Sequence, residues 1–401
     1  MLSSPSRLLR LVALCAIAPE FAAAQKEAFV PGLVTRDRIA SAAQAAGFRV
    51  VAVSANVPVA VRSRFPFASF DYNDPLLETL RREHRLSDVV SPAKDEWSRQ
   101  LRLKDWVFRK IPGGDPRTRP KNAVEILALA AQGEKFYCTY YAITYQQCAQ
   151  ALGWQARKIA VDRRHGPEGM QSAHHGAVEV WSNQFLKWVV IDAQSNLHFE
   201  KHGVPLSAWE IRAEWLKNKG ADVDHVVGAP PETAKRNPAM VWKVPDEDEI
   251  ATYFWLAIDD AVPDGERLKR IFPQDDWNAN EVWYQNDDAT GRGQPHIGYT
   301  RNLFLPTSRI EDAYWTVGVV EARVTETSAG IIRLALDSYC PNRAAYEISR
   351  DGVSWERTSA DAPVAWALRA GWNTLRLRTL SAGGIVGPET AVALFLEEDS
   401  R

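Results

Sequence analysis

The chain has 401 residues, 46% hydrophobic and 24% charged, with 48 basic against 50 acidic side chains and a formal net charge of −2. That length can bury more than one core, so two domains are expected. The near-neutral balance argues against a charge-driven nucleic-acid or polyanion partner.

Residues 1–24 read as a signal peptide. Arg7 and Arg10 form a positive n-region, 11–18 is a short apolar run, and Ala22, Ala23 and Ala24 place small residues before Gln25. The run is too short to span a bilayer as a mature helix. Cys15 follows Leu14 rather than a small residue, which argues against a lipid anchor. No later segment is long and apolar enough to span. The expectation is an exported protein, periplasmic or extracellular, with no membrane span in the mature chain.

Residues 48–54 read as a strand, followed by a Pro-broken apolar stretch. Helical periodicity occupies 74–111, carried by Leu77, Leu80, Leu86, Trp97, Leu101, Trp106 and Val107. Residues 112–120 form a Pro- and Gly-rich loop, and a helix at about 122–132 leads towards Cys138. From there Tyr141, Tyr145, Cys148 and Leu152 recur at helical spacing, so Cys138 is expected to open a helix. A strand with His175 at its start follows, then a strand over 187–192 that ends in Asp192.

A thiol, an imidazole and a carboxylate on helix, strand and strand make a nucleophile, a base and an orienter. The thiolate is the attacking species, and a free thiol near pKa ~8.5 is mostly protonated at neutral pH. A helix N-terminus favours the thiolate through its unpaired N–H groups and partial positive charge. The imidazole accepts the proton and later delivers it to the leaving group. The carboxylate fixes tautomer and ring orientation. His174 competes for the role of base, but neighbouring strand residues face opposite ways. Counting by twos groups His174 with Gly176, Val178 and Val180, which reads as the core side, so His175 is chosen.

The segment from about 130 to 212 resembles the transglutaminase-like superfamily, relatives of papain-type cysteine peptidases. The resemblance rests on Cys138 opening its helix, on Leu152, Gly153, Ala156 and Arg157, on His175 four residues before Glu179-Val180, and on Trp188 with Asp192. It implies an α+β fold, a papain-related core with antiparallel strands, and a Cys138–His175–Asp192 triad. It also implies an oxyanion role for Gln132, six residues before Cys138, alongside the Cys138 backbone N–H. Two departures bear on the pocket: Ala177 stands where the family often has an aromatic, and Tyr137 where it has Gly.

Residues 205–219 read as another helix, with Ser207 as a possible cap. Residues 221–302 are polar, Pro-containing and aromatic-dotted, with a helix near 248–258. Trp277, Trp283, Tyr284 and His296 either wall the cleft or seat the last domain. Fifteen tryptophans is a high number; buried aromatics are the plainer reading, a Trp-lined cleft for sugar or peptide the other. Residues 303–401 carry short alternating strands with turns at 351–352 and 383–384, a weak likeness to a β-sandwich. The domain plan is thus 1–24, 25–220, 221–302 and 303–401.

Cleavage after Ala24 leaves Cys138, Cys148 and Cys340, an odd number for an oxidising compartment. Cys138 and Cys148 lie too far apart along one helix to pair. A Cys148–Cys340 bridge would pin the C-terminal domain, but two buried free thiols read more simply. His198 and His202 have helical i,i+4 spacing without a third ligand, which makes a poor metal site. The Arg163–Gly166 loop reads as solvated, or as reaching substrate. No cofactor or metal is called for, and nothing specifies an oligomeric state. The expected function is an exported thiol enzyme acting on an amide or ester carbonyl through a thioacyl intermediate. Its substrate would be a peptide, glycopeptide or cell-wall amide, with water or an amine as acceptor. The alternative is a non-catalytic protein of the same fold that binds polysaccharide or cell-wall material.

Overall fold

The computed structural model describes residues 35–65, 70–162, 175–229, 235–238, 253, 255–259, 268–273, 302–359 and 362–398. The signal-peptide segment, His174, the 163–166 loop, and Trp277, Trp283, Tyr284 and His296 lie outside the described residues. In chain order, α1 (Arg36–Ala45) and β1 (Phe48–Asn56) precede five helices: α2 (Pro75–Glu83), α3 (Leu86–Val90), α4 (Glu96–Lys110), α5 (Ala123–Ala130) and α6 (Cys138–Ala151). Then come β2 (Ala156–Asp162), β3 (His175–Ser182), β4 (Lys187–Ile191), β5 (Leu197–Lys201), β6 (Val204–Pro205), α7 (Ala208–Asn218), β7 (Asp224–Val227) and β8 (Lys235–Pro238). Next are β9 (Trp255–Asp259), β10 (Leu268–Pro273), β11 (Asn302–Thr307), β12 (Val320–Ser328) and β13 (Ile331–Ser338). The chain ends with β14 (Arg343–Ser349), β15 (Glu356–Thr358), β16 (Val364–Ala367), β17 (Gly371–Ser381) and β18 (Thr390–Glu398).

The helices start where the sequence provides caps. Asp74, with Pro75 behind it, accepts from Leu76 N–H; Asp95 accepts from Ser98 N–H, and Asn122 from Glu125 N–H. Ser207 and Glu210 close a capping box on α7. One apolar layer joins α2–α6 to Val178, Val180, Val189 and Ile191 of β3 and β4. These strands belong to a six-stranded sheet of order β11-β10-β9-β2-β3-β4. It is antiparallel apart from the parallel β10–β11 pair. A second layer, with Ile159, Ala177, Val190, Phe199, Ile211 and Leu256, lies on α7 and the strands β6-β5-β7-β8. Both faces of β3 are therefore core, whereas residue alternation points to the Val178/Val180 face alone.

The C-terminal region is mostly strands, as a sandwich requires: β12-β13-β16 faces β1-β18-β17-β14-β15 around one apolar cluster. Three boundaries read from the sequence shift. Strand β1 pairs antiparallel with β18, Phe48 opposite Glu398, and Ile39, Ala42 and Ala43 of α1 join the sandwich core. Residues 35–56 thus belong with the C-terminal strands rather than with a 25–220 domain. Residues 255–259 form a strand along β2 rather than the end of a helix near 248–258; a four-residue apolar run fits either element, and the open edge of β2 selects strand. Strand β11 joins the six-stranded sheet, so the 221–302 region is not merely connecting and the sandwich begins at β12.

The two bodies meet at a tryptophan seam. Trp181, Trp188 and Trp315 are buried and stack edge to face at 5.9 and 5.1 Å, with Tyr339 beyond at 4.7 Å. Trp188 Nε1 donates to the Trp315 carbonyl at 2.8 Å. Gly383 closes the contact, since a Cβ there would lie 2.7 Å from Gly153 Cα. Among the described residues, no helix is long and apolar enough to cross a membrane.

Candidate active site

Cys138 is the first residue of α6. Its N-cap, Tyr137, is extended (φ −104°, ψ −177°), offers no side-chain cap, and the first turn holds no acidic residue. The positive helix end therefore acts on the thiol without a competing capping oxygen. The approach to the helix is rigid. Phe136 is buried, donates its N–H to the Pro112 carbonyl at 2.9 Å and accepts from Gly114 N–H at 3.0 Å. One turn in, Tyr141 donates its hydroxyl to the Ile111 carbonyl at 2.5 Å, and Tyr145 donates to the Gln100 carbonyl at 3.2 Å.

His175 opens β3, and Gly176 brings that strand onto the first turn of α6. A Cβ at Gly176 would stand 3.5 Å from Thr139 Cα, in ordinary contact, so strand and helix backbones pass close together. Asp192 directly follows β4 and is fixed by a two-way bridge with Leu197, at 2.9 and 2.8 Å. Its Oδ1 accepts from the N–H groups of Gln194 (3.0 Å) and Ser195 (3.1 Å). Its Oδ2 lies 2.9 Å from His175 Nε2. With Nε2 engaged, Nδ1 is the ring nitrogen left for the thiol, on which the ring's hydrogen bonding and charge act. The Asp192 side chain is 2% exposed and that of His175 20%, so the ring keeps one edge open to an incoming group.

Charge follows from this packing. Burial alone would raise the Cys138 thiol, but the hydrogen bond and charge of His175 and the Gly176 N–H outweigh it and hold the thiol below its usual value. Burial works against a charged His175, yet the charge and hydrogen bond of Asp192, with help from Cys138, raise the ring well above the ordinary imidazole range. Burial likewise opposes ionisation of Asp192, and His175 together with Ser195 more than offsets it. Both shifts favour a thiolate–imidazolium pair steadied by a carboxylate. The other two described thiols differ: Cys148 and Cys340 are free, like Cys138, and burial pushes both upward, away from reactivity.

The structure thus brings Cys138, His175 and Asp192 together. Gln132 sits exposed in the turn after α5, its N–H donating to the Leu129 carbonyl at 3.0 Å. Among the described residues no hydrogen bond links its side chain to the other three. Tyr137 is 40% exposed and packs edge-on against Tyr140, while Ala177 is buried beneath the sheet. His198 lies on β5 and His202 in the following turn (φ 53°), so their helical spacing is not realised.

Several contributors escaped the sequence reading. Gly176 and the Gln194 and Ser195 N–H groups act through backbone, which leaves no residue-type signal. Arg157 and Glu179 were motif residues without a role; they face each other across β2 and β3. The Arg157 guanidinium donates to Glu179 Oε2 at 3.0 and 2.7 Å and to the Ala313 carbonyl at 2.5 Å, 4.0 Å over the Trp188 ring. Glu179 Oε1 accepts from Ala208 N–H at 2.9 Å and the Tyr314 hydroxyl at 3.0 Å. The pair ties sheet, α7 and seam together without touching the thiol.

Residues 83–193 match the family described as the Transglutaminase-like superfamily. The matched segment runs from the end of α2 to just past Asp192 and contains Cys138 and His175. Over that segment the chain resembles a transglutaminase-like core. Comparison with curated proteins finds no match to this chain. Among solved structures, a proposed cysteine protease from Cytophaga hutchinsonii aligns at 12% identity over 41% of this chain and 69% of its own, with a TM-score of 0.23. So small a superposition bears no weight for this chain.

Proposed function

We propose that this protein is an exported cysteine hydrolase that cleaves an amide or ester carbonyl in a peptide, glycopeptide or cell-wall substrate. One observation carries the reading: a thiol at an uncapped helix N-terminus is held low by an imidazole whose far nitrogen is 2.9 Å from a buried carboxylate. The Cys138 thiolate attacks the carbonyl carbon, and the oxyanion is met by the Cys138 backbone N–H, with Gln132 as a second candidate donor. The His175 imidazolium gives its proton to the leaving amine or alcohol as the C–N or C–O bond breaks, which leaves a thioacyl enzyme. Neutral His175 then takes a proton from water as hydroxide attacks the thioester, and the acid and free thiol are released. Asp192 holds the ring throughout and steadies its charge.

Water is the assigned acceptor because an exported protein meets it in large excess. An amine in its place would make the protein a crosslinking acyl transferase. The test offers activated esters and peptide amides, including soluble cell-wall peptides, with and without a primary amine, and follows intact mass. Acyl adducts on Cys138 that decay to free acid support the hydrolase. Preferential transfer to the amine replaces hydrolase by transferase. If no substrate forms an adduct and Cys138→Ala behaves like the parent, the enzyme reading fails in favour of the non-catalytic binding protein.

A further inference from the structure

The least expected side chain in the core is Lys104. It lies on the inner face of α4, with no solvent exposure, among Leu101, Leu103 and Val107. Its Nζ is 3.1 Å from Nδ1 of His198, which is also fully buried, and His198 Nε2 is 2.8 Å from Glu200 Oε1. An ammonium in such a place costs stability unless counter-charges surround it. Its position relative to the triad explains why it is there. His198 follows Leu197, the residue bridged in both directions to Asp192. The next residue of α4, Asp105, accepts a hydrogen bond from Asn196 Nδ2 at 2.9 Å. Asn196 adopts a positive φ of 51° in the same turn. Two consecutive α4 residues therefore grip the 192–198 turn on either side of Leu197.

We propose that Lys104 is a positioning residue of the thiol site: its buried ammonium, anchored through His198 and Glu200, holds the turn that carries Asp192 and adds positive charge on the side of that carboxylate away from solvent. This rests on the triad reading above. The charged groups acting on Lys104 are Asp192 after β4, Glu200 with His198 on β5, and Asp105 on α4 itself. From α6, Tyr141 and Tyr145 face the same layer, and burial raises both, so they stay neutral. Burial lowers Lys104 to about 7 against the pull of Asp192, Asp105 and Glu200, so the ammonium carries its charge on the acid side of neutrality.

The experiment follows iodoacetamide alkylation of Cys138 against pH, by peptide mass spectrometry, in the parent, Lys104→Met and Lys104→Gln. Glutamine keeps a donor for His198 but no charge. Loss of a nearby positive charge should move the acid limb of the profile up by about half to one pH unit in both variants, roughly a 3- to 10-fold slower reaction on that limb. A purely structural lysine would change the melting temperature and leave the limb in place, which would overturn the proposal. Should either variant not fold, carbon-13-labelled lysine in the parent and in Asp192→Asn reads the same coupling from the other side. The Lys104 midpoint should fall when the Asp192 charge is removed, and an unmoved midpoint overturns the proposal. If Cys138 in the parent reacts no faster than Cys148 or Cys340, the triad reading itself has failed. A reactive Cys138 indifferent to Lys104 refutes only the lysine.

Discussion

At Cys138 the decisive competition is between burial, which disfavours a thiolate, and the imidazolium, backbone N–H and helix end, which favour it. That balance depends on Asp192 keeping His175 charged. Asp192→Asn is the cleanest probe, because its amide oxygen can still accept from Gln194 and Ser195 while the charge disappears. By analogy with serine triads, turnover should fall roughly 10³- to 10⁴-fold. Stability should change with a defined pH signature. The depressed Asp192 contributes above its unfolded pKa of about 3.9, and this is lost as pH falls through its lower folded value. The raised His175 contributes fully below about 6.5, and this is lost as pH rises through its folded value. The melting-temperature gap between parent and Asp192→Asn should therefore be widest between about pH 4 and 6.5 and narrow on both sides. A gap flat from pH 3 to 10 would mean that the pair is not coupled. The three residues could be read from the sequence because their types are chemically rare in that order. Lys104 was legible in principle: it sits three after Leu101 and three before Val107 in an apolar helical stripe. A lone lysine in such a stripe is ordinarily assigned to the surface, and only the partner on β5 shows otherwise.

At the scale of elements, the buried Arg157–Glu179 pair joins β2 and β3 to α7 and to the segment at Ala313. Both side chains are almost wholly inaccessible, 3% and 0% exposed. Removing one partner strands the other charge, so Arg157→Met should cost about 3–5 kcal/mol. The double variant Arg157→Met with Glu179→Met should cost clearly less than the sum of the singles, in a denaturant-melting cycle. Additive losses would show that the two charges do not depend on each other. This role explains why Arg and Glu belong to the motif although neither reaches the thiol. Strand β9 marks where element reading stops. Residues 255–258 are Trp-Leu-Ala-Ile, which suits a buried strand or a helix turn equally, and the available edge of β2 decides.

At the scale of the whole molecule, the ends of the described chain meet: β1 closes a sheet otherwise built from 343–398. No local signal encodes a partner some 340 residues away, and the 48–54 alternation reports only that a strand exists. Removing residues 1–56 should uncover the β18 edge and the Ile39–Ala43 contact, leaving the C-terminal sandwich protease-sensitive before the segment around Cys138. Equal resistance in limited proteolysis would show that β1 is dispensable. The tryptophans are legible as a count but not as a place. Trp181 and Trp188 face each other on neighbouring strands, the far more distant Trp315 joins them, and all three pack into the seam rather than an open cleft.

The proposed chemistry depends on activation of the Cys138 thiolate by His175. Its most direct test is the iodoacetamide rate of all three described thiols from pH 4 to 10 in the parent and in His175→Ala, resolved peptide by peptide. Cys138 should react well below pH ~8.5, ahead of Cys148 and Cys340, and His175→Ala should return it to ordinary thiol behaviour. Three thiols reacting alike, or a Cys138 that reacts only once the protein unfolds, would contradict it.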